Sequence, residues 1–265
     1  MSTFAGMLRS DARRALSGLG FWLCIAFSAF AVLQPIWKEM FVQAGFAVDG
    51  RDVIDMFTLS SGMGMQTIQI VVGAGVYACS FAQDWERRFF RPLLLRSGKA
   101  AYIASRVLVL AASTYVAVVL GQMLALLIAS YILPFYKPAL LHDRNGGIEL
   151  VDAGRPFLYC YFLIHQRAPY ITLWALLALA VSTLVQNRFV VLFTPMLTYF
   201  LFSLLEAVVT WPVWAGGSLA LESIVQGGNS TAIAAVGLLY LRAAPLLFLF
   251  LAATVAGMER RLKRG

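Results

Sequence analysis

The densest chemistry in this chain lies between residues 84 and 106. The segment opens Asp84-Trp85-Glu86-Arg87-Arg88-Phe89-Phe90-Arg91-Pro92-Leu93-Leu94-Leu95 and runs on through Lys99 to Arg106. Carboxylates, guanidinium groups, rings and leucines are interleaved, a mixture that suits neither a plain solvent loop nor the interior of a bilayer. It is the composition of a protein–protein hot spot, where Trp, Tyr and Arg carry most of the binding energy. A short helix is expected here, presenting Trp85, Phe89 and Leu93 beside Arg87, Arg88 and Phe90. Asp84 and Glu86 fall near its start, where the backbone dipole favours anions, and Pro92 limits its length. The other reading is an interfacial helix that touches only lipid.

Motifs for catalysis or nucleotide binding are missing. Gly98-Lys99 lacks both the earlier glycine and the following Ser or Thr of a phosphate-binding loop. His142 and His165 are the only histidines, and no H-E-x-x-H pair accompanies them. No G-x-S-x-G elbow occurs. The sequence therefore points to no catalytic residue, no metal site and no cofactor held by this chain.

Two ionisable residues, Glu206 and Arg242, interrupt otherwise apolar runs. Charge at membrane depth is expensive and by default marks function. Glu206 stands 17 residues after Phe189, and Arg242 stands 15 residues before Gly257. At about 1.5 Å per residue, both lie about 22–26 Å from the inner boundary. They are expected to pair or to face one wet outer vestibule; independent snorkelling to water is the alternative.

The elements that must position these groups follow from composition. Of 265 residues, 60% are hydrophobic and 13% charged, with a mean hydropathy of +0.78. A soluble domain carries about 25% charged residues. Half that number cannot cover a water-facing surface, which excludes a soluble enzyme, a nucleic-acid module and a disordered tail. The net charge of +8 then reports on orientation and lipid headgroups. Cys24, Cys79 and Cys160 are far apart and read as core residues rather than a disulfide or metal framework.

Six runs approach the roughly 20 apolar residues that a spanning helix needs: about 20–37, 57–81, 102–133, 169–185, 189–209 and 231–257. The short Gln186-Asn187-Arg188 turn makes the fourth and fifth a helical hairpin. A signal peptide cleaved after Ala29-Phe30-Ala31 is a rival reading of the first run, but the apolar stretch continues through Leu33. With six spans, fourteen Lys and Arg fall on the side of both termini and six on the other. Both termini are therefore expected in the cytoplasm. On the outer side, Phe157–Ile164 is too short to span and is expected on the membrane surface. Residues 210–230, with Trp211, Pro212, Trp214, Gly216 and Gly217, are expected to form short re-entrant helices. Glycines in the second run (Gly62, Gly64, Gly73, Gly75) suit a dimer seam, a pathway wall or packing within the chain.

Residues 1–18 read as an amphipathic interface helix. Phe4, Met7, Leu8, Ala12, Ala15 and Leu16 share one face, and Arg9, Asp11, Arg13 and Arg14 fall mostly on the other. Phe4, Met7 and Leu8 are expected to face the bilayer, with Arg9, Arg13 and Arg14 toward anionic lipid. A basic flank that only sets topology is the alternative. The fold expected is thus an all-α polytopic membrane protein: the interface helix, a six-helix transmembrane domain over 19–258, and a basic cytoplasmic tail over 259–265.

This order of elements resembles the membrane (permease) subunit of a type-2 ABC transporter of the exporter class. The motif that carries the likeness is Asp84, Glu86, Leu93-Leu94, Ser97-Gly98 and Tyr102, between the second and third spans. The resemblance implies that the 84–100 segment holds a short cytoplasmic coupling helix that docks on a soluble nucleotide-binding ATPase subunit. It also implies that the pathway needs a second permease copy or a related permease. ATP and Mg would then be bound by the partner subunit, and the chain would sit in the cell inner (plasma) membrane. The alternative function is an ATPase-independent membrane protein, such as a secondary transporter or an assembly factor.

Overall fold

The structure, a computed structural model, describes residues 3–42, 52–59, 63–86, 98–136, 149–208 and 232–264. Expectations for Arg87, Arg88, Phe89, Phe90, Leu93 and the 210–230 segment lie outside the described residues. Among those described, every regular element is helical: α1 (Thr3–Ser17), α2 (Leu19–Val42), α3 (Val53–Leu59), α4 (Met63–Gly75), α5 (Ser80–Glu86), α6 (Lys99–Ile132), α7 (Glu149–Asp152), α8 (Pro156–Ser182), α9 (Arg188–Val208) and α10 (Ala232–Arg264).

The long α6 organises the bundle. Its 34 residues extend about 51 Å at 1.5 Å per residue. Buried positions recur three or four apart, as in Tyr102, Arg106, Val109, Ser113, Ala117 and Gly121. This stripe packs against α2, α8 and α1. The opposite side, including Leu108, Val116, Leu120, Leu124 and Leu127, is equally apolar but exposed. A helix that is apolar all round belongs in a core or a membrane. Gly121 lets α2 approach backbone to backbone, since a Cβ there would overlap the carbonyl of Ile25.

Two helical stretches, Lys99–Ile132 and Ala243–Lys263, are long and apolar enough to cross a membrane. A third is added if the pair Phe4–Ser17 and Leu19–Gln34, bent by 54°, is counted as one span. These are features of a membrane protein. Large apolar side chains on the outside agree, among them Trp22, Tyr131, Phe189 and Phe248.

The second apolar run departs from a single span over 57–81. A turn at residues 76–79 separates α4 from α5 within it. Glycine costs a helix about 1 kcal/mol relative to alanine, and Gly73 and Gly75 stand just before that turn. They are used for contact inside the chain. A Cβ on Gly73 would lie 2.6 Å from Ile171 Cγ2, and the Gly75 carbonyl occupies the space a Cβ on Gly20 would need.

The stretch Phe157–Ile164 is not a separate surface element. It is the first part of α8, a 27-residue helix that runs through Pro169 to Ser182. Its buried positions extend along its whole length because α8 packs against α4, α6, α9 and α10 together. Gln166 and Arg167 are therefore interior residues at 1% and 3% exposure, and Arg167 donates to the carbonyl oxygen of Phe57. After α8 the chain reverses quickly. Asn187 Oδ1 accepts the Phe189 N–H at 2.9 Å, which caps the start of α9. The basic residues near the C-terminus continue the helix, for α10 runs unbroken from Ala232 to Arg264. Met258 and Leu262 in its last turns are buried, and cations there suit the helix dipole.

Candidate functional site

A buried ion cluster joins α1, the turn before α5, α5 itself and the start of α6. Each contributor is placed by helical spacing. On α1, Asp11 stands four residues after Met7 and four before Ala15, so all three share the buried edge. On α6, Tyr102 and Arg106 are one turn apart on the buried stripe. Tyr77 lies in the turn before α5, and Asp84 on the buried side of α5.

Arg106 is the centre, with 0% exposure. Its Nη2 pairs with Asp84 Oδ2 and lies 3.5 Å from Asp11 Oδ1. Its Nη1 donates to the Tyr77 hydroxyl. The guanidinium carbon is 5.2 Å from the Tyr77 ring centroid and 5.1 Å from that of Tyr102, a cation held between two π faces. Asp84 also accepts from the Tyr102 hydroxyl at 3.2 Å. Its Oδ1 receives both terminal nitrogens of Arg14, at 3.2 and 3.1 Å. Asp11 Oδ2 accepts the Ser105 hydroxyl at 2.7 Å. Two acids therefore face two arginines, and the formal charge closes to zero.

Such a cluster has a physical purpose that apolar packing lacks. Buried ions repay their desolvation only in one good geometry. Sliding α1 along α6 by a turn would strand Asp11 beside no cation and leave Arg106 short of an acid. The cluster thus fixes register among three elements far apart in sequence. The Arg106 Nε is buried without a hydrogen-bond partner, so the side chain is held by its terminal nitrogens.

The residues expected on a docking surface divide. Asp84 is interior, at 2% exposure, and its carboxylate is engaged within the chain. Trp85 is half-buried, stacked on Phe81 at 6.3 Å between centroids, with the Arg261 guanidinium 5.5 Å above its ring. Glu86 is exposed, and a loose 3.8 Å pair joins it to Arg188; surface pairs of this kind contribute little. Of the expected interface residues, Phe4 and Leu8 are half-buried and Met7 is buried against the bundle. Arg9 and Arg13 are exposed, whereas Arg14 is committed to Asp84. The backbone at Glu206 and Arg242 is helical, in α9 and α10, but their side chains lie outside the description.

Sequence spacing did not single out Tyr77, Ser105 or Arg106, and it set Asp11 on the polar side of α1. The one usable signal was the Met7, Asp11, Ala15 line: an acid in the middle of an apolar stripe requires a buried cation. Two further polar contacts lie elsewhere in the bundle, the first half-buried and the second buried. The Tyr115 hydroxyl meets His165 Nδ1 at 2.5 Å, and the Tyr199 hydroxyl donates to Gln66 Oε1 at 3.0 Å. Among the described residues, no three His, Cys, Asp or Glu side chains are grouped to hold a metal ion. No family model, curated protein or solved structure matches the chain.

Proposed function

We propose that the chain is the permease subunit of an ATP-driven exporter of the type-2 ABC class, paired with a second permease copy and driven by a separate ATPase. In this reading it crosses the cell membrane six times with both termini in the cytoplasm, and the partner ATPase binds ATP and Mg. The observation that supports it is the ion cluster. The 84–100 segment departs from the cluster at Asp84 and returns to it at Tyr102 and Arg106. A partner that pushes on this segment acts on both ends at once. The clustered charges carry the displacement into α1 and α6 together, as rigid-body movement of packed helices. The Trp85–Arg261 contact extends the same unit to the end of α10.

A photo-crosslinking amino acid at Phe89, in native membranes, tests the docking role. The expected product is a covalent adduct with a soluble phosphate-loop ATPase. Adducts with lipid alone, from a chain whose Arg106 cluster is intact, would reject the docking role and favour the ATPase-independent alternative.

A further inference from the structure

We propose that α1 and α6 form a binding groove for one anionic phospholipid, with an acyl chain between the helices and the headgroup phosphate on Arg9 and Arg13. The groove has a volume of about 520 Å³ and is walled by Leu8, Ala12 and Leu16 of α1 and by Leu108, Ala112 and Val116 of α6. That volume lies within the range of small-molecule sites, about 300–1,000 Å³. The hydroxyl on its wall, Ser113, donates to the Val109 carbonyl oxygen at 2.6 Å. It therefore makes no demand on an occupant, and the lining asks for hydrocarbon.

The charges of α1 are arranged to match. Successive helical residues turn by about 100°. Met7, Asp11 and Ala15 form the edge set into the bundle. Leu8, Ala12 and Leu16 come next around the helix and form the groove wall. Arg9 and Arg13 follow, just beyond the groove's lip, exposed and tied to no acid among the described residues. Arg14 falls on the other flank, where Asp84 takes its charge. One arginine thus fastens the helix, and two stand free beside an apolar slot. An acyl chain carrying a phosphate complements both features at once.

The inference rests on the chain's being a membrane protein and not on the exporter reading. Failure to find an ATPase would leave it standing. Native mass spectrometry of the full chain, released from nanodiscs of phosphatidylcholine and phosphatidylglycerol, tests it. The expected result is one retained phosphatidylglycerol, enriched over its share of the bilayer by about fivefold for each engaged arginine. The R9E/R13E chain should retain either lipid without preference, and Ala12→Phe, which fills the slot, should retain neither. An unchanged thermal melt would show that the Arg106 cluster still holds α1 in both variants. Enrichment that survives R9E/R13E, retention that survives Ala12→Phe, or crosslinking of Ala12→Cys to the same position in a second copy would overturn the proposal.

Discussion

Arg106 and Arg14 both pair with Asp84, yet they should behave very differently on removal. Arg106 is fully buried, so Arg106→Ala leaves Asp11 and Asp84 without a compensating interior charge. Breaking a buried pair in this way costs about 3–5 kcal/mol. Arg14 is 39% exposed, and water can replace it; Arg14→Ala should cost about 1 kcal/mol or less. Tyr102→Phe removes one hydrogen bond to Asp84 and should cost about 1 kcal/mol. Denaturant titration in detergent micelles would rank the three, and an Arg14 effect equal to that of Arg106 would contradict the assigned geometry. These roles were hidden at the level of single residues for a simple reason. An arginine near the start of a span reads equally well as a loop cation or an interior one, and only the partner helices decide. Arg167 makes the same point: it stands just before the apolar run that begins at residue 169, yet α8 carries it into the interior.

At the scale of elements, the hydrophobic runs were enough to foresee an all-helical chain, the long α6, and the α8–α9 turn at Asn187. They did not foresee where helices break or fuse. A Gly-rich apolar run has the same hydropathy whether straight or bent, so the turn between α4 and α5 carried no clear signal. The α8 helix shows the reverse error. The fourth apolar run was read from about residue 169, but the helix starts at Pro156 and passes Pro169 without a break, packed on four neighbours. Contact between α2 and α6 makes a sharp prediction. Gly121→Val forces a side chain into the Ile25 carbonyl and the Ser28 Cβ, and should destabilise by about 1–3 kcal/mol. Gly6→Ala on α1, where a Cβ meets nothing within 4 Å, should stabilise by up to about 1 kcal/mol. Equal melting points for the two variants would show that the α2–α6 approach is looser than described.

For the whole molecule, the spans predict accessibility. With six crossings, cysteines introduced at Ser10, Asn187 and Lys263 in a chain free of its native cysteines should react with an impermeant thiol reagent from the cytoplasmic side. One introduced at Asn145 should react only from the other side. Three crossings would instead bury Ser10 within the bent pair that forms the first span, Phe4–Ser17 and Leu19–Gln34, and shield it from the reagent on both sides. The exporter reading requires a substrate pathway, and no residue of one was legible from sequence, since the aromatic and aliphatic residues that would line it also fill any membrane core.

The most direct measurement of the central claim is purification of the intact chain from native membranes in mild detergent, followed by an assay for Mg-dependent ATP hydrolysis and identification of what co-purifies. The permease reading predicts a stoichiometric phosphate-loop ATPase, lost on Phe89→Ala/Phe90→Ala while the chain keeps the melting behaviour set by Arg106. A folded chain that emerges alone, with no nucleotide-binding partner and no hydrolysis, would contradict it.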